Sequence, residues 1–159
     1  MMKIIKANLS HADIFACIHS KAWVQAYKDL FPAEYINPES SRKRKEEFIE
    51  NQQENIHYYL IVEDNVYVGI FKILIVDDTC ELSSIYILTE YCHKGYGTAC
   101  IDYVKEEYSR YEIIVWTLEE NRSARNFYEK NHFHDTGNRR MIDRGCEYVQ
   151  VQYHYGSNR

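Results

Sequence analysis

The sequence predicts an α+β fold in one domain spanning residues 1–159. Three observations point there. Apolar periodicity alternates between helical and strand spacing in the order β-α-α-β-β-β-α-β-α-β-β, which implies a mixed sheet. No linker, internal repeat or low-complexity stretch interrupts that order. The 159 residues, 45% hydrophobic and 27% charged, suffice for a core without staples.

Each element has its own signal. Residues 3–7 (KIIKA) form a short strand. Ser10 and Asp13 have capping-box spacing, and Ile14, Phe15, Ile18, Ala22, Trp23 and Ala26 follow at helical spacing, giving a helix over 11–28. Leu30-Phe31-Pro32 breaks it. Asn37-Pro38 supplies a cap and first turn for a second helix running to about Gln53. Residues 57–63, 66–76 and 80–88 form a meander, with turns at Asp64-Asn65 and Asp77-Asp78-Thr79; the middle strand is apolar on both faces, hence central. Residues 96–109 form a helix that offers Ala99, Ile101, Tyr103, Val104 and Tyr108 for packing. A buried strand at 111–117, a helix at 121–131 and strands at 133–141 and 146–154 complete the order. The last two strands close at Asp143-Arg144-Gly145.

Charge and cysteine usage exclude several function classes. A net charge of −5 gives no global attraction to nucleic acid or anionic lipid. The run Arg42-Lys43-Arg44-Lys45 is followed at once by Glu46-Glu47 and reads as a solvated helix face. Cys17, Cys80, Cys92, Cys100 and Cys146 contain no CxxC pair, and the seven histidines show no metal spacing, so no metal is expected. Scattered cysteines, the absence of a signal-peptide stretch and the absence of a long apolar run fit a reduced, cytoplasmic protein without a membrane span.

The chain has six glycines, yet Gly95 and Gly97 stand two apart. They follow a strand and open a helix. Glycines there let backbone amides approach a ligand, and a helix N-terminus adds free N–H groups and a positive dipole end. Together with Lys94 and His93 these make a phosphate site. The alternative is a plain strand-to-helix turn. Neither nucleotide motif fits, because Cys100 stands where G-x-G-x-x-G needs its third glycine and no G-x-x-x-x-G-K-[ST] occurs.

The stretch ELSSIYILTEYCHKGYGTACIDYV resembles the acyl-CoA motif of the GNAT superfamily of acetyl-CoA-dependent N-acetyltransferases. WTLEENRSARNFYEKNHF resembles its second motif, in the right order and about 25 residues on. HSKAWVQAYKDLFPAEYI is similar to the first-helix region of many bacterial members. The resemblance covers nearly the whole chain. It implies a mixed, mostly antiparallel sheet of six to seven strands flanked by about four helices. Two positions depart from the family pattern: Cys92 stands where Gln or Arg is usual, and His132 where the second motif usually has Gly before Phe133.

The resemblance implies acetyl-CoA as cosubstrate. Its pantetheine arm would lie along strand 80–88 and pair with backbone of Ile85, Tyr86 and Ile87, where a bulge usually parts this strand from strand 111–117. A backbone N–H near Ile87 would polarise the thioester oxygen. Backbone of Cys92, His93, Lys94, Gly95, Tyr96, Gly97 and Thr98 would hold the pyrophosphate. Tyr128 is the implied general acid: a phenol has a pKa near 10 against about 8.5 for a thiol, so it stays protonated and can hydrogen-bond or donate to the departing sulfur. With fifteen tyrosines in the chain, context singles it out. Asn121, Arg125 and Tyr128 share a helix face at i, i+4 and i+7, while Phe127 turns toward the core. Asn121 would serve as helix cap and as contact to the arm. Glu81, fourteen residues before Gly95, is the candidate general base; a merely solvated strand-end carboxylate is the alternative. A reactive Cys92 beside Lys94 competes with an inert one.

The acceptor would be a small-molecule or protein amine. The first two helices, their connecting loop and the C-terminal hairpin would hold it; Trp23, Tyr27, Asp29, Phe31, Glu34 and Tyr35 there are either aromatic and acidic groups for an amine cation or plain packing and surface residues. Nucleic acid and membrane are not expected partners, and the family allows a homodimer. A non-catalytic acyl-CoA-binding module and an enzyme of the same fold using another acyl donor are the rival readings.

Overall fold

Hairpin turns set most of the sheet. The computed structural model describes residues 1–33 and 41–156. Its strands are β1 (Met2–Lys6), β2 (Ile56–Glu63), β3 (Val66–Val76), β4 (Thr79–Ile87), β5 (Glu112–Leu118), β6 (His134–Asp143) and β7 (Glu147–Tyr155). Asp64 and Asn65 turn β2 into β3 at φ 49° and 68°, and Asp77 helps turn β3 into β4 at φ 52°. Short polar side chains tolerate that left-handed backbone. Gly145, at φ 89°, lies in the turn between β6 and β7. The seven strands run β1-β2-β3-β4-β5-β7-β6. Every neighbouring pair is antiparallel except β4 with β5.

Among the described residues, four α-helices cover the two faces. Helices α1 (Ala12–Tyr27) and α2 (Ser41–Glu50) bury Phe15, Ile18 and Phe48 against Tyr58, Leu60 and Ile70. Helices α3 (Tyr96–Glu107) and α4 (Arg122–Lys130) lie on the other face, where Ile101, Val104 and Tyr128 join Phe71, Ile73, Cys80, Val115 and Tyr153. Each face thus buries the inward row of the strands it meets, which is the main stabilising term.

Two local expectations change. The capping box ahead of α1 is built on Asn8 rather than Ser10 and belongs to a 3-10 turn; α1 itself follows His11, which makes no side-chain cap bond. Asn8 Oδ1 accepts from Ser10 N at 2.9 Å, while the Asn8 N–H donates to His11 Nδ1 at 3.0 Å. Asn8 takes the role because a 3-10 turn at Leu9–His11 precedes the helix, and the turn's first N–H groups face Asn8. The expected Asn37-Pro38 helix start lies outside the described residues, as do Glu34 and Tyr35.

Two irregularities in β4 position the site. The β3–β4 register passes from Lys72↔Ser84 to Ile73↔Leu82, leaving Ser83 as an extra residue. A bulge of this kind reverses the facing of the later strand residues. Cys80 and Leu82 point to the α3–α4 face before it; Ile85 and Ile87 do so after it, and Tyr86 turns toward α1. The β4–β5 ladder also stops early, at Glu81↔Ile114.

Candidate active site

Beyond Glu81 the strands β4 and β5 diverge, and a cavity of about 260 Å³ opens between them. Leu82 to Tyr86 form one wall and Val115 to Leu118 the other. Asn121, the N-cap of α4, with Ala124 and Tyr128 of α4 closes one side; Trp23 and Tyr27 of α1 close the opposite side. The β4 edge facing this gap has no ladder partner on β5, so its backbone groups are available to an extended ligand.

Tyr128 is 5% exposed, and its ring packs on those of Phe133 at 5.7 Å and Tyr153 at 6.2 Å. Its hydroxyl has no hydrogen-bond partner among the described residues, and Tyr128 lines the cavity. Burial, aided by nearby Tyr27, pushes its pKa above the usual phenol value. The group is therefore a neutral donor at physiological pH. Asn121 caps α4, its Oδ1 accepting from Ala124 N at 3.1 Å, and also lines the cavity. Arg125 departs from the predicted shared face. It donates from Nε to the Tyr153 hydroxyl at 3.0 Å and pairs with Asp135 at 3.5 Å, because those groups lie across the sheet edge from α4.

The two glycines prove to act differently. Gly95 is the N-cap of α3 at φ 84°, with open space where a side chain would stand. Gly97 has ordinary backbone angles, but a Cβ there would lie 3.1 Å from the Phe127 ring. Gly95 thus supplies the left-handed turn and Gly97 the close approach of α4 to α3. Around them, Lys94 Nζ sits 5.6 Å over the Tyr91 ring, and Tyr96 donates to Glu63 Oε1 at 3.2 Å. His93 adopts φ 63°. Cys92 Sγ lies 3.6 Å from the carbonyls of Ile87 and Leu88, and burial, with Glu90 adding, pushes its thiol upward. An inert Cys92 fits these surroundings; a reactive thiolate does not.

The predicted site residues therefore fall into groups. Ile85, Tyr86, Asn121 and Tyr128 line one cavity. Ile87 and Cys92 to Thr98 stand beyond it, at the end of β4 and the start of α3. Glu81 lines a neighbouring opening with Leu74, Asp77 and Ile114, and its Oε2 accepts from Ser83 Oγ at 3.1 Å. Of the expected acceptor groups, Trp23, Tyr27 and Phe31 line the main cavity, with the Tyr27 and Phe31 rings stacked at 4.7 Å. Asp29 is exposed and does not line it. Trp116, Arg140, Arg144 and Gln150 do. No local pattern marks these four; strand order alone brings them to the gap.

Among the described residues no group of three His, Cys, Asp or Glu side chains is arranged to hold a metal, and no helix is long and apolar enough to cross a membrane.

The profile of the acetyltransferase (GNAT) family matches residues 21–133. No curated protein matches the sequence. Among solved structures, a PaiA N-acetyltransferase from Thermoplasma acidophilum, in complex with coenzyme A, superimposes with a TM-score of 0.73 at 19% identity, covering 98% of this chain and 99% of that one. The Salmonella typhimurium acetyltransferase that modifies the N-terminal serine of ribosomal protein L7/L12 gives 0.77 at 15% identity, over 99% and 95%. The spermidine/spermine N-acetyltransferase SpeG from Vibrio cholerae gives 0.70 at 13% identity, over 97% and 91%. At these identities the likeness is one of fold.

Proposed function

The chain belongs to the GNAT acetyltransferase family, and on that premise we propose that it is an acetyl-CoA-dependent N-acetyltransferase acting by direct attack of an amine on the thioester. The observation that carries this reading is the gap between β4 and β5 with the Tyr128 hydroxyl at its wall. Coenzyme A bound to a structural relative supports the choice of cosubstrate.

In this reading the acyl arm extends along β4 past Ser83, pairing with backbone of Ile85, Tyr86 and Ile87. The Ile87 N–H faces the thioester oxygen. Backbone of Cys92 to Thr98 takes the pyrophosphate at the start of α3, and Asn121 touches the arm from α4. The neutral amine attacks the carbonyl carbon; the N–C bond forms and the C–S bond breaks. Glu81, through water across the seam between the two openings, takes the proton the amine loses. Tyr128 hydrogen-bonds the departing sulfur. Its raised pKa makes full proton loss to a thiolate of pKa about 8.5 uphill by about 2 kcal/mol or more, so it stabilises the developing charge chiefly as a hydrogen-bond donor.

The chain works by this account in the cytoplasm, on a small-molecule or protein amine. The test is a panel of amines incubated with acetyl-CoA, read by thiol release and by mass spectrometry of acetylated product. Amine-dependent release supports the reading. Tight binding of acetyl-CoA with no release on any amine supports a non-catalytic module instead, and release with a longer acyl-CoA alone supports another donor.

A further inference from the structure

Among the described residues, the charge lining the cavity is opposite to what a cationic substrate requires. No Asp or Glu is among its described lining residues; its charged groups are Arg140 and Arg144. Arg140 stands on β6 opposite Gln150 and reaches across β7. Its guanidinium lies 4.3 Å over the Trp116 ring, and its Nε donates to Gln150 Oε1 at 2.6 Å. Stacking and that bond hold the plane of the group, while its two Nη nitrogens have no partner among the described residues. Arg144 donates to the carbonyl of Asp143 at 2.8 Å and is close enough to act on both Tyr27 and Arg140.

Neither arginine forms an ion pair among the described residues. Their neighbour Arg139, on the other face of β6, shows what a structural arginine does here. It binds Asp135 through both Nη nitrogens at 2.9 Å and approaches Glu119 at 3.8 Å. The carboxylate felt at Arg140 is Glu81, which lines the adjoining opening and accepts from Ser83. Two guanidinium groups that line one cavity without an ion pair among the described residues favour an anion there. A guanidinium with both Nη groups free presents the flat fork that a carboxylate fits.

We infer that the acceptor is an amine carrying a carboxylate, which Arg140 and Arg144 anchor at the hairpin side of the cavity while the amine points toward the β4–β5 gap. This rests on the acetyltransferase reading above and excludes a polyamine as the preferred acceptor. The carboxylate belongs to a free amino acid or to a short peptide, which share this chemistry.

The test compares matched acceptors on the wild-type chain with acetyl-CoA: an α-amino acid, its carboxamide, its decarboxylated amine, a dipeptide with a free C-terminus, and spermidine. Binding of acetyl-CoA is measured separately by calorimetry. The acid is expected to exceed its amide in kcat/KM by about tenfold or more. Arg140→Gln and Arg144→Gln are each expected to narrow that ratio, mainly by raising KM for the acid. Preference for dipeptide over amino acid assigns the peptide source. An amide or spermidine used as well as the acid overturns the inference and leaves acetyl transfer standing. Acetyl-CoA binding without turnover on any member overturns both.

Discussion

The carbonyl of Tyr86 lies 2.6 Å from the point where a Cβ on Gly69 would stand. Gly69 is paired with Ile87 in the β3–β4 ladder, so β3 yields room at the very segment proposed to carry the acyl arm. The obstruction is backbone, which cannot rotate away. Gly69→Ala is expected to destabilise the fold by about 2–3 kcal/mol, as overpacking does. Urea denaturation measures this; an unchanged midpoint would show that β3 shifts freely.

His132 sits at φ 71° just after α4, where family members usually place glycine. A left-handed residue with a Cβ costs about 1–2 kcal/mol, partly offset in glycine by its larger entropy loss. His132→Gly is therefore expected to stabilise by about 0.5–1 kcal/mol, read as a higher Tm. A lower Tm would mean that the imidazole contributes more than the backbone strain costs.

His19 is stacked on Tyr86 at 5.2 Å, and burial, with Arg44 and Lys72 adding, lowers its pKa to about 3. Its unfolded value is about 6.5, so between those values the unfolded chain binds the extra proton. The stability it contributes is present above pH 6.5 and lost as pH falls toward 3. From pH 7 to pH 5 the wild type is expected to lose on the order of 1–2 kcal/mol more than His19→Gln. Parallel pH–stability curves for the two proteins would count against this.

The meander was legible because its turns are short polar pairs and its central strand is apolar on both faces. The family was legible because a spaced glycine pair and a Phe-Tyr sequence in that order need particular neighbours. The bulge at Ser83 leaves no such trace, since an extra residue in a strand of Ser and Ile looks like any other. Arg140 reads as one more exposed strand cation; it meets Trp116 because β7 inserts between β5 and β6. Of the aromatic groups expected at the acceptor, Trp23, Tyr27 and Phe31 line the cavity, whereas of the expected acidic groups Asp29 is exposed away from it and Glu34 lies outside the described residues.

The loop at Gly95 offers a more local test. Its φ of 84° sets the entry into α3, and nothing crowds the site. Gly95→Ala is expected to weaken acetyl-CoA binding by turning the first amides of α3, with little steric effect on the core. Isothermal titration with acetyl-CoA would reveal it; unaltered affinity would place the pyrophosphate elsewhere.

The most direct measurement is amine-dependent thiol release from acetyl-CoA by the wild type and by Tyr128→Phe. The account predicts release by the wild type and a kcat lowered by more than about tenfold in the variant, with acetyl-CoA still bound. Equal rates in the two proteins, or no release by the wild type on any amine, would contradict it.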